Sequence, residues 1–209
     1  MNPVEVIREF HKLYYQSKIV SHSTHWLGVA VLKCPLDLWI YQDIIFQCKP
    51  DVIVEAGTHH GGSAFYMASI FDLVGNGRVI TLDVVDKPGR PRHQRITYLK
   101  ASSTEKSTLD SVKNIIGQNK KVMVILDSEH DFVHVSKELA LWSPVVSVGQ
   151  YLIVEDTNIG GNPVHPEWAN GPLQAVRKWD PDKNGFVTDH SREKFLMTFN
   201  PSGYLKKVR

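Results

Sequence analysis

The stretch Asp51–Ser69, DVIVEAGTHHGGSAFYMAS, reads as a short apolar strand, a glycine-rich turn and the start of a helix. The strand is almost wholly Val and Ile, a composition that suits strands covered on both faces. The unit then repeats. GRVITLDVV is a second strand ending at Asp83, and ITYLKASS a shorter third. The helix TLDSVKNIIGQ follows, with apolar residues at 109, 112, 115 and 116. KVMVILDS is a fourth strand ending at Asp127, followed by the helix FVHVSKELALW, which Pro144 closes. GQYLIVEDT is a fifth strand ending in Glu155 and Asp156, and Pro172 opens the helix GPLQAVRKWD. Alternation of this kind predicts an α/β fold with a mostly parallel, doubly wound sheet. At the tail, FVTDH and KFLMTF read as a C-terminal antiparallel hairpin, with GYLKKV as a last short strand.

Upstream of this core, Val6, Phe10, Leu13 and Tyr14 recur at helical spacing from Pro3 to about Ser17. SHSTHWLGVAVLKCPLD reads as irregular, and DLWIYQDIIFQCK as a helix stopped by Pro50. No repeat or linker interrupts the chain. The expectation is one domain over 1–209, with a helical cap over 1–49 and a Rossmann-like core over 50–209.

The chain carries 24 basic and 22 acidic residues, a balance that argues for neither a nucleic-acid nor a membrane partner. Its two cysteines, Cys34 and Cys48, form no framework and no zinc pattern, and read as buried thiols in a reducing compartment. Glu5, Arg8 and Glu9 interrupt the first helix, which therefore does not read as a signal peptide, and a cytoplasmic protein is expected.

Ligands of doubly wound sheets bind outside the carboxyl ends of the strands. Four of the five predicted strands end there in an acid. In the first loop the spacing is Gly-x-x-x-Gly-Gly, which is neither a P-loop nor a dinucleotide fingerprint. A glycine turn before a helix N-terminus suits a carboxylate, and Asp83 suits the two hydroxyls of a ribose. Glu55 suits a cationic amine. Together they describe an adenosine cofactor ending in an amino acid, S-adenosylmethionine. His59 and His60 read either as cofactor contacts or as loop filler.

Asp127, Glu155 and Asp156 would cluster if strands four and five are neighbours, ~5 Å apart. All-oxygen ligation favours Mg²⁺, with Mn²⁺ or Ca²⁺ as alternatives. His130, three residues past Asp127, is a candidate general base. A non-haem iron triad of Asp127, His130 and His134 is the rival reading, although His134 should sit one turn into the next helix.

These residues also carry a family resemblance. THWLGVAVLKCPLDLWIYQ, DVIVEAGTHHGGSAFYMAS, VILDSEH, YLIVEDTNIGG and KFLMTFNPSGYLKK resemble the cephalosporin hydroxylase / rhamnosyl O-methyltransferase family from about Thr24 to the C-terminus. The resemblance implies a Rossmann-like methyltransferase fold with a bound divalent metal. It places Glu55, Gly57 and Ser63 at the methionine end of the cofactor and Asp83 at the ribose. His59 and Ser102 complete the cofactor-binding set, with Asp127, Glu155 and Asp156 on Mg²⁺. More distantly the chain is similar to catechol O-methyltransferases, where a lysine stands three residues after the first metal carboxylate; here that position is His130. The stretch before Pro35, with Trp26, Gly28 and Lys33, would fold over the cofactor. Oligomers are implied as well.

The leading expectation is an S-adenosylmethionine- and Mg²⁺-dependent O-methyltransferase acting on a small hydroxylated acceptor, a sugar or a secondary metabolite. NIGGNPVHPEWANGP, with His165 and Trp168, reads as a lid over that acceptor. The alternatives are a metal-dependent hydroxylase and a non-catalytic cofactor-binding partner.

Overall fold

The computed structural model describes residues 2–168 and 170–209. Ala169, within the expected lid, therefore lies outside the described residues. Two helices lead, α1 (Pro3–Gln16) and α2 (Ile19–Ser23). Asn2 caps α1 by accepting the Glu5 N–H at 2.9 Å. The stretch expected to be irregular holds a two-residue hairpin, β1 (His25–Trp26) with β2 (Val29–Ala30). α3 (Pro35–Cys48) then opens on a proline and stops at Lys49, whose φ of 45° is left-handed.

The core alternates as expected: β3 (Val52–Ala56), α4 (Gly62–Val74), β4 (Arg78–Asp83), β5 (Ile96–Lys100), α5 (Lys106–Ile116), β6 (Val122–Leu126), α6 (Phe132–Trp142), β7 (Tyr151–Val154) and α7 (Pro172–Trp179). The last strands are β8 (Phe186–Thr188) and β9 (Tyr204–Lys207). The seven-stranded sheet runs β5-β4-β3-β6-β7-β9-β8. β3 to β7 are mutually parallel, and β9 is antiparallel to both β7 and β8.

Strand alternation divides the core between the two faces. Val52, Val54, Ile80, Leu82, Val124 and Leu152 pack toward α5, α6 and α7. Ile53, Val79, Met123, Ile125 and Ile153 pack toward α3 and α4. This explains the unbroken apolar runs, since neither face meets water. Each such side chain contributes ~1.5–3 kcal/mol on burial.

Two expectations change. KFLMTF is not a strand: β9 itself pairs with β8, inserted between it and β7. Met197 and Phe199 are instead buried with Val20 and Cys34 under the cap helices. The backbone there is held by a side chain, with Asp37 accepting from Phe199 N at 2.9 Å and from Thr198 Oγ1 at 2.5 Å. The apolar stripe of α1 also faces outward, with Phe10 51% and Leu13 65% exposed. The helix docks by another edge, where His11 stacks on Phe199 at 5.4 Å and Tyr15 packs on the same ring.

Candidate active site

β3 is the switch point of the sheet, with β4 on one side and β6 on the other. The loops after β3 and β6 therefore meet above it. Asp127 N donates to Ala56 O at 2.9 Å, and Gly57 N to Leu82 O at 2.8 Å. Gly57 has φ 97°, and a Cβ there would lie 1.8 Å from the Asp127 carbonyl oxygen, so only glycine fits. The closeness of the glycine turn to the acid after β6 is thus built into the backbone.

Above this junction opens a cavity of ≈ 570 Å³. Gly57, His59, Asp83, Asp127, His130 and Asp156 wall its strand-end side. Tyr15, Gln16, Lys18 and His22 from the α1–α2 region, with His165 and Phe199, wall the other. A second cavity of ≈ 370 Å³ shares Gly57, Asp83 and Ser128 with the first and runs to Ser102, Ser103 and His134. Asp83 stands between them. Its Oδ2 accepts the His59 N–H at 2.8 Å and its Oδ1 the Val85 N–H at 2.9 Å. Ser102 Oγ lies 3.0 Å from Thr104 Oγ1.

Asp127, His130 and Asp156 each offer a ligand atom within 4.8 Å of the others. β6 and β7 are adjacent parallel strands, which brings two of these residues together. His130 Nε2 lies 3.2 Å from Asp156 Oδ2. Asp156 adopts φ 52°, a left-handed conformation costly for a residue with a Cβ. Glu155, expected beside them, points elsewhere. Its Oε1 accepts from Tyr41 OH at 2.6 Å and from the Lys33 ammonium. Lys33 is 2% exposed and donates also to Asp127 Oδ2 at 2.6 Å. Burial opposes its charge, but Asp127, Glu155 and Glu55 together hold its pKa above the ordinary lysine value. Burial likewise raises the Asp127 and Glu155 carboxyls, with Lys33 acting against it.

Glu55, expected to hold an amine, is fully buried. Its Oε1 accepts from Ser63 Oγ at 2.5 Å and its Oε2 from Thr81 Oγ1 at 2.7 Å. Ser63 thus braces Glu55 from the first turn of α4. Of the expected cofactor contacts, Gly57, His59 and Asp83 wall the large cavity, Ser102 lines the second, and His60 and Ser63 border only a small recess.

The iron triad is split. His134 sits in the first turn of α6, with Nε2 against Ser103 at 3.1 Å and Ser128 at 3.0 Å. Among the described residues, Glu129, Asp131 and His134 form a second, more exposed group of ligand-capable side chains. Asp131 there is already engaged as the N-cap of α6. Trp26 faces α4, donating to Ser69 Oγ at 3.1 Å, while Gly28 has open space around it. His165 stacks on Trp168 at 4.8 Å and meets Tyr15 edge-on. Sequence reasoning placed Lys33 in the stretch folding over the cofactor and missed its burial against Asp127 and Glu155. The available signal was a lone charge inside the apolar run VAVLKCPL.

No helix among the described residues is long and apolar enough to cross a membrane.

The family model for rhamnosyl O-methyltransferase/CmcI matches residues 18–208. The chain is 36% identical over 207 residues to rhamnosyl O-methyltransferase of Mycobacterium bovis (strain BCG / Pasteur 1173P2), covering 96% of this chain and 84% of that protein. It is 32% identical over 206 residues to rhamnosyl O-methyltransferase of Mycobacterium leprae (strain TN), covering 96% and 90%. Among solved structures, CmcI with Mg and SAM superposes with a TM-score of 0.70 at 19% identity, over 89% of this chain and 77% of that one. The MycE methyltransferase from the mycinamycin biosynthetic pathway, in complex with Mg, SAH and mycinamycin VI, gives 0.59 at 19% identity, over 97% and 54%. These structural likenesses carry the Rossmann-like methyltransferase fold. With the family match and the curated relatives beside them, the chain belongs to the rhamnosyl O-methyltransferase/CmcI family and is an S-adenosylmethionine-dependent O-methyltransferase.

Proposed function

We propose that the protein methylates a hydroxyl of a glycosyl group or similar small acceptor, assisted by a divalent ion, Mg²⁺ or in its place Mn²⁺ or Ca²⁺. The observation that carries this reading is the meeting of Asp127, His130 and Asp156 within 4.8 Å on the wall of the large cavity. Two outward carboxylates fit Mg²⁺, which binds through one or two carboxylates and keeps several waters. The names of the curated relatives support a sugar hydroxyl as the acceptor.

When bound, the ion supplies a Lewis acid that orients the acceptor hydroxyl and lowers its pKa. S-adenosylmethionine supplies the methyl group. The chain does the rest. Gly57 opens the turn to close approach, and Asp83 presents carboxylate oxygens to the ribose hydroxyls. Ser102 and His59 border the cofactor, while Glu55 and Ser63 brace the turn from below. His130 removes the acceptor proton at Nδ1, the ring nitrogen turned away from Asp156. Asp156 Oδ2, 3.2 Å from Nε2, holds that ring and stabilises the imidazolium formed. Holding acceptor and cofactor in line within a cavity walled off by α1 and α2 contributes the entropic part of the rate. Self-association belongs to the same proposal, and light scattering of the purified chain tests it.

The test is transfer of labelled methyl from S-adenosylmethionine to a panel of glycosylated and aglycone acceptors, with Mg²⁺ and with EDTA. Mg²⁺-dependent labelling of glycosides alone is the expected result. Labelling that survives EDTA would overturn the metal assignment, and labelling of aglycones alone would overturn the acceptor class.

A further inference from the structure

The glycine-rich turn and Asp83 belong to different loops, and one side chain ties the two loops together. His59, in the turn after β3, has φ 47°, a left-handed conformation that a residue with a Cβ keeps only where its surroundings hold it. It is held from both sides. Its N–H donates to Asp83 Oδ2 at 2.8 Å, and its carbonyl accepts from Arg90 Nε at 3.0 Å. Val85, in the loop after β4, repeats the pattern. Its N–H donates to Asp83 Oδ1 at 2.9 Å, and its carbonyl accepts from Arg90 Nη2 at 2.7 Å. Arg90 thus grips by their carbonyls the same two residues whose N–H groups grip Asp83. The square is closed by Arg90 Nη2, 3.6 Å from Asp83 Oδ2.

Arg90 is itself fixed in place. Its side chain is 7% exposed, and the guanidinium lies 5.7 Å from the centre of the Tyr98 ring. Tyr98 is anchored in β5, and its hydroxyl donates to Pro91 O at 2.8 Å. That hydroxyl also reaches the turn, since a Cβ on Gly61 would lie 2.9 Å from it. Asp86, 3.5 Å from Arg90 on the outer side, is 73% exposed and adds little. A planar guanidinium holds donors at fixed angles and spans two carbonyls at once, which a lysine ammonium does not reproduce.

We propose that Arg90 is a positioning residue that sets the spacing between Asp83 and the glycine turn, and with it the length of cofactor the site accepts. This rests on the cofactor placement of the Proposed function. S-adenosylmethionine presents ribose hydroxyls toward one of these loops and an amino-acid carboxylate toward the other, so both must be met at once. Arg90 fixes their separation before the cofactor arrives, and that order is not lost from the binding free energy. A ligand that reaches only one of the loops gains nothing from the clamp.

The test is calorimetric titration of the full chain with two probes, S-adenosylhomocysteine, which spans both loops, and adenosine, which carries the ribose alone. Arg90→Met should weaken S-adenosylhomocysteine at least tenfold and leave adenosine within threefold. Arg90→Lys should lose in the same order but less. Asp83→Ala should weaken both probes alike. A merely structural arginine would lower the two affinities together, so equal losses in Arg90→Met overturn the proposal. So does an unchanged S-adenosylhomocysteine affinity in Arg90→Met while Asp83→Ala still weakens it, and the cofactor placement then stands. If Arg90→Met does not fold, Arg90→Lys decides by the same difference between probes. Failure of both to fold makes Arg90 a brace of the whole domain and overturns the proposal. Unchanged affinities in Asp83→Ala, or a wild type that binds neither probe, overturn the proposal and the cofactor placement together.

Discussion

Glu155 and Asp156 are neighbours in the chain and opposites in the structure. Glu155 turns into the protein toward Lys33 and Tyr41, while Asp156 turns out to His130 and the cavity. Successive residues leaving a strand point to opposite faces, and the left-handed turn at Asp156 aims its side chain further. The same division separates Glu55, closed in by Ser63 and Thr81, from Asp83, which stands on a cavity wall. Strand-end acids that look alike in sequence thus form an inner set, satisfied by the fold, and an outer set that faces the cavity. Bases divide on the same physics. Lys33 is buried among carboxylates and stays charged. His11 is buried beside Phe199 and Asn158, and burial pushes its pKa down to about 4.

The largest expected effect lies in the outer set. Asp127→Ala should lower turnover by ~10³-fold or more, equivalent to about 4 kcal/mol of barrier. Cofactor affinity should change little. Methyl-transfer rates beside a calorimetric titration of S-adenosylmethionine check both, and equal losses in rate and affinity would erase the division of labour. In the inner set, Glu155→Ala breaks a buried pair and should destabilise the fold by ~3–5 kcal/mol in urea denaturation. Asp156→Ala should cost no more than ~1 kcal/mol by the same measurement, because its partner is half-exposed. Similar losses for the two would collapse the contrast.

The buried bases give a pH test. A histidine with a folded pKa near 4 and an unfolded value near 6.5 is neutral in the fold. The unfolded chain therefore binds more protons between those values. Stability contributed by neutral His11 is full above about pH 6.5 and is lost as pH falls toward about 4, by up to ~3 kcal/mol. Denaturation curves of wild type and His11→Gln across that window should converge toward acid. Parallel curves would mean that the cap opens before the core. Asp83→Ala should weaken S-adenosylmethionine binding by ~1–3 kcal/mol in calorimetry. An unchanged affinity would move Asp83 from the outer set to the inner one, as a brace for His59 N alone.

Much of this plan was legible along the chain. Uniform Val/Ile strands alternating with helices declared a sheet covered on both sides, and the sheet order then brought the glycine turn next to Asp127. Asp83, Asp127 and Asp156 fell where the strand ends predicted. The tail was misread because KFLMTF alternates like a strand. Its apolar residues are buried by the cap and its backbone is tied by Asp37. The stripe on α1 misled in the reverse sense, since periodicity identifies an apolar face without saying what covers it.

The sequence by itself determined the order of elements, the crossing loops and the pool of acids at one sheet edge, because those follow from local periodicity and from the rule that ligands sit at strand ends. Tertiary structure alone decided which acids face inward. That choice depends on Lys33 reaching Asp127 across 94 positions of the chain and Glu155 across 122. The energy of a buried charge is set by the partners within a few ångströms, and no local pattern records who they will be.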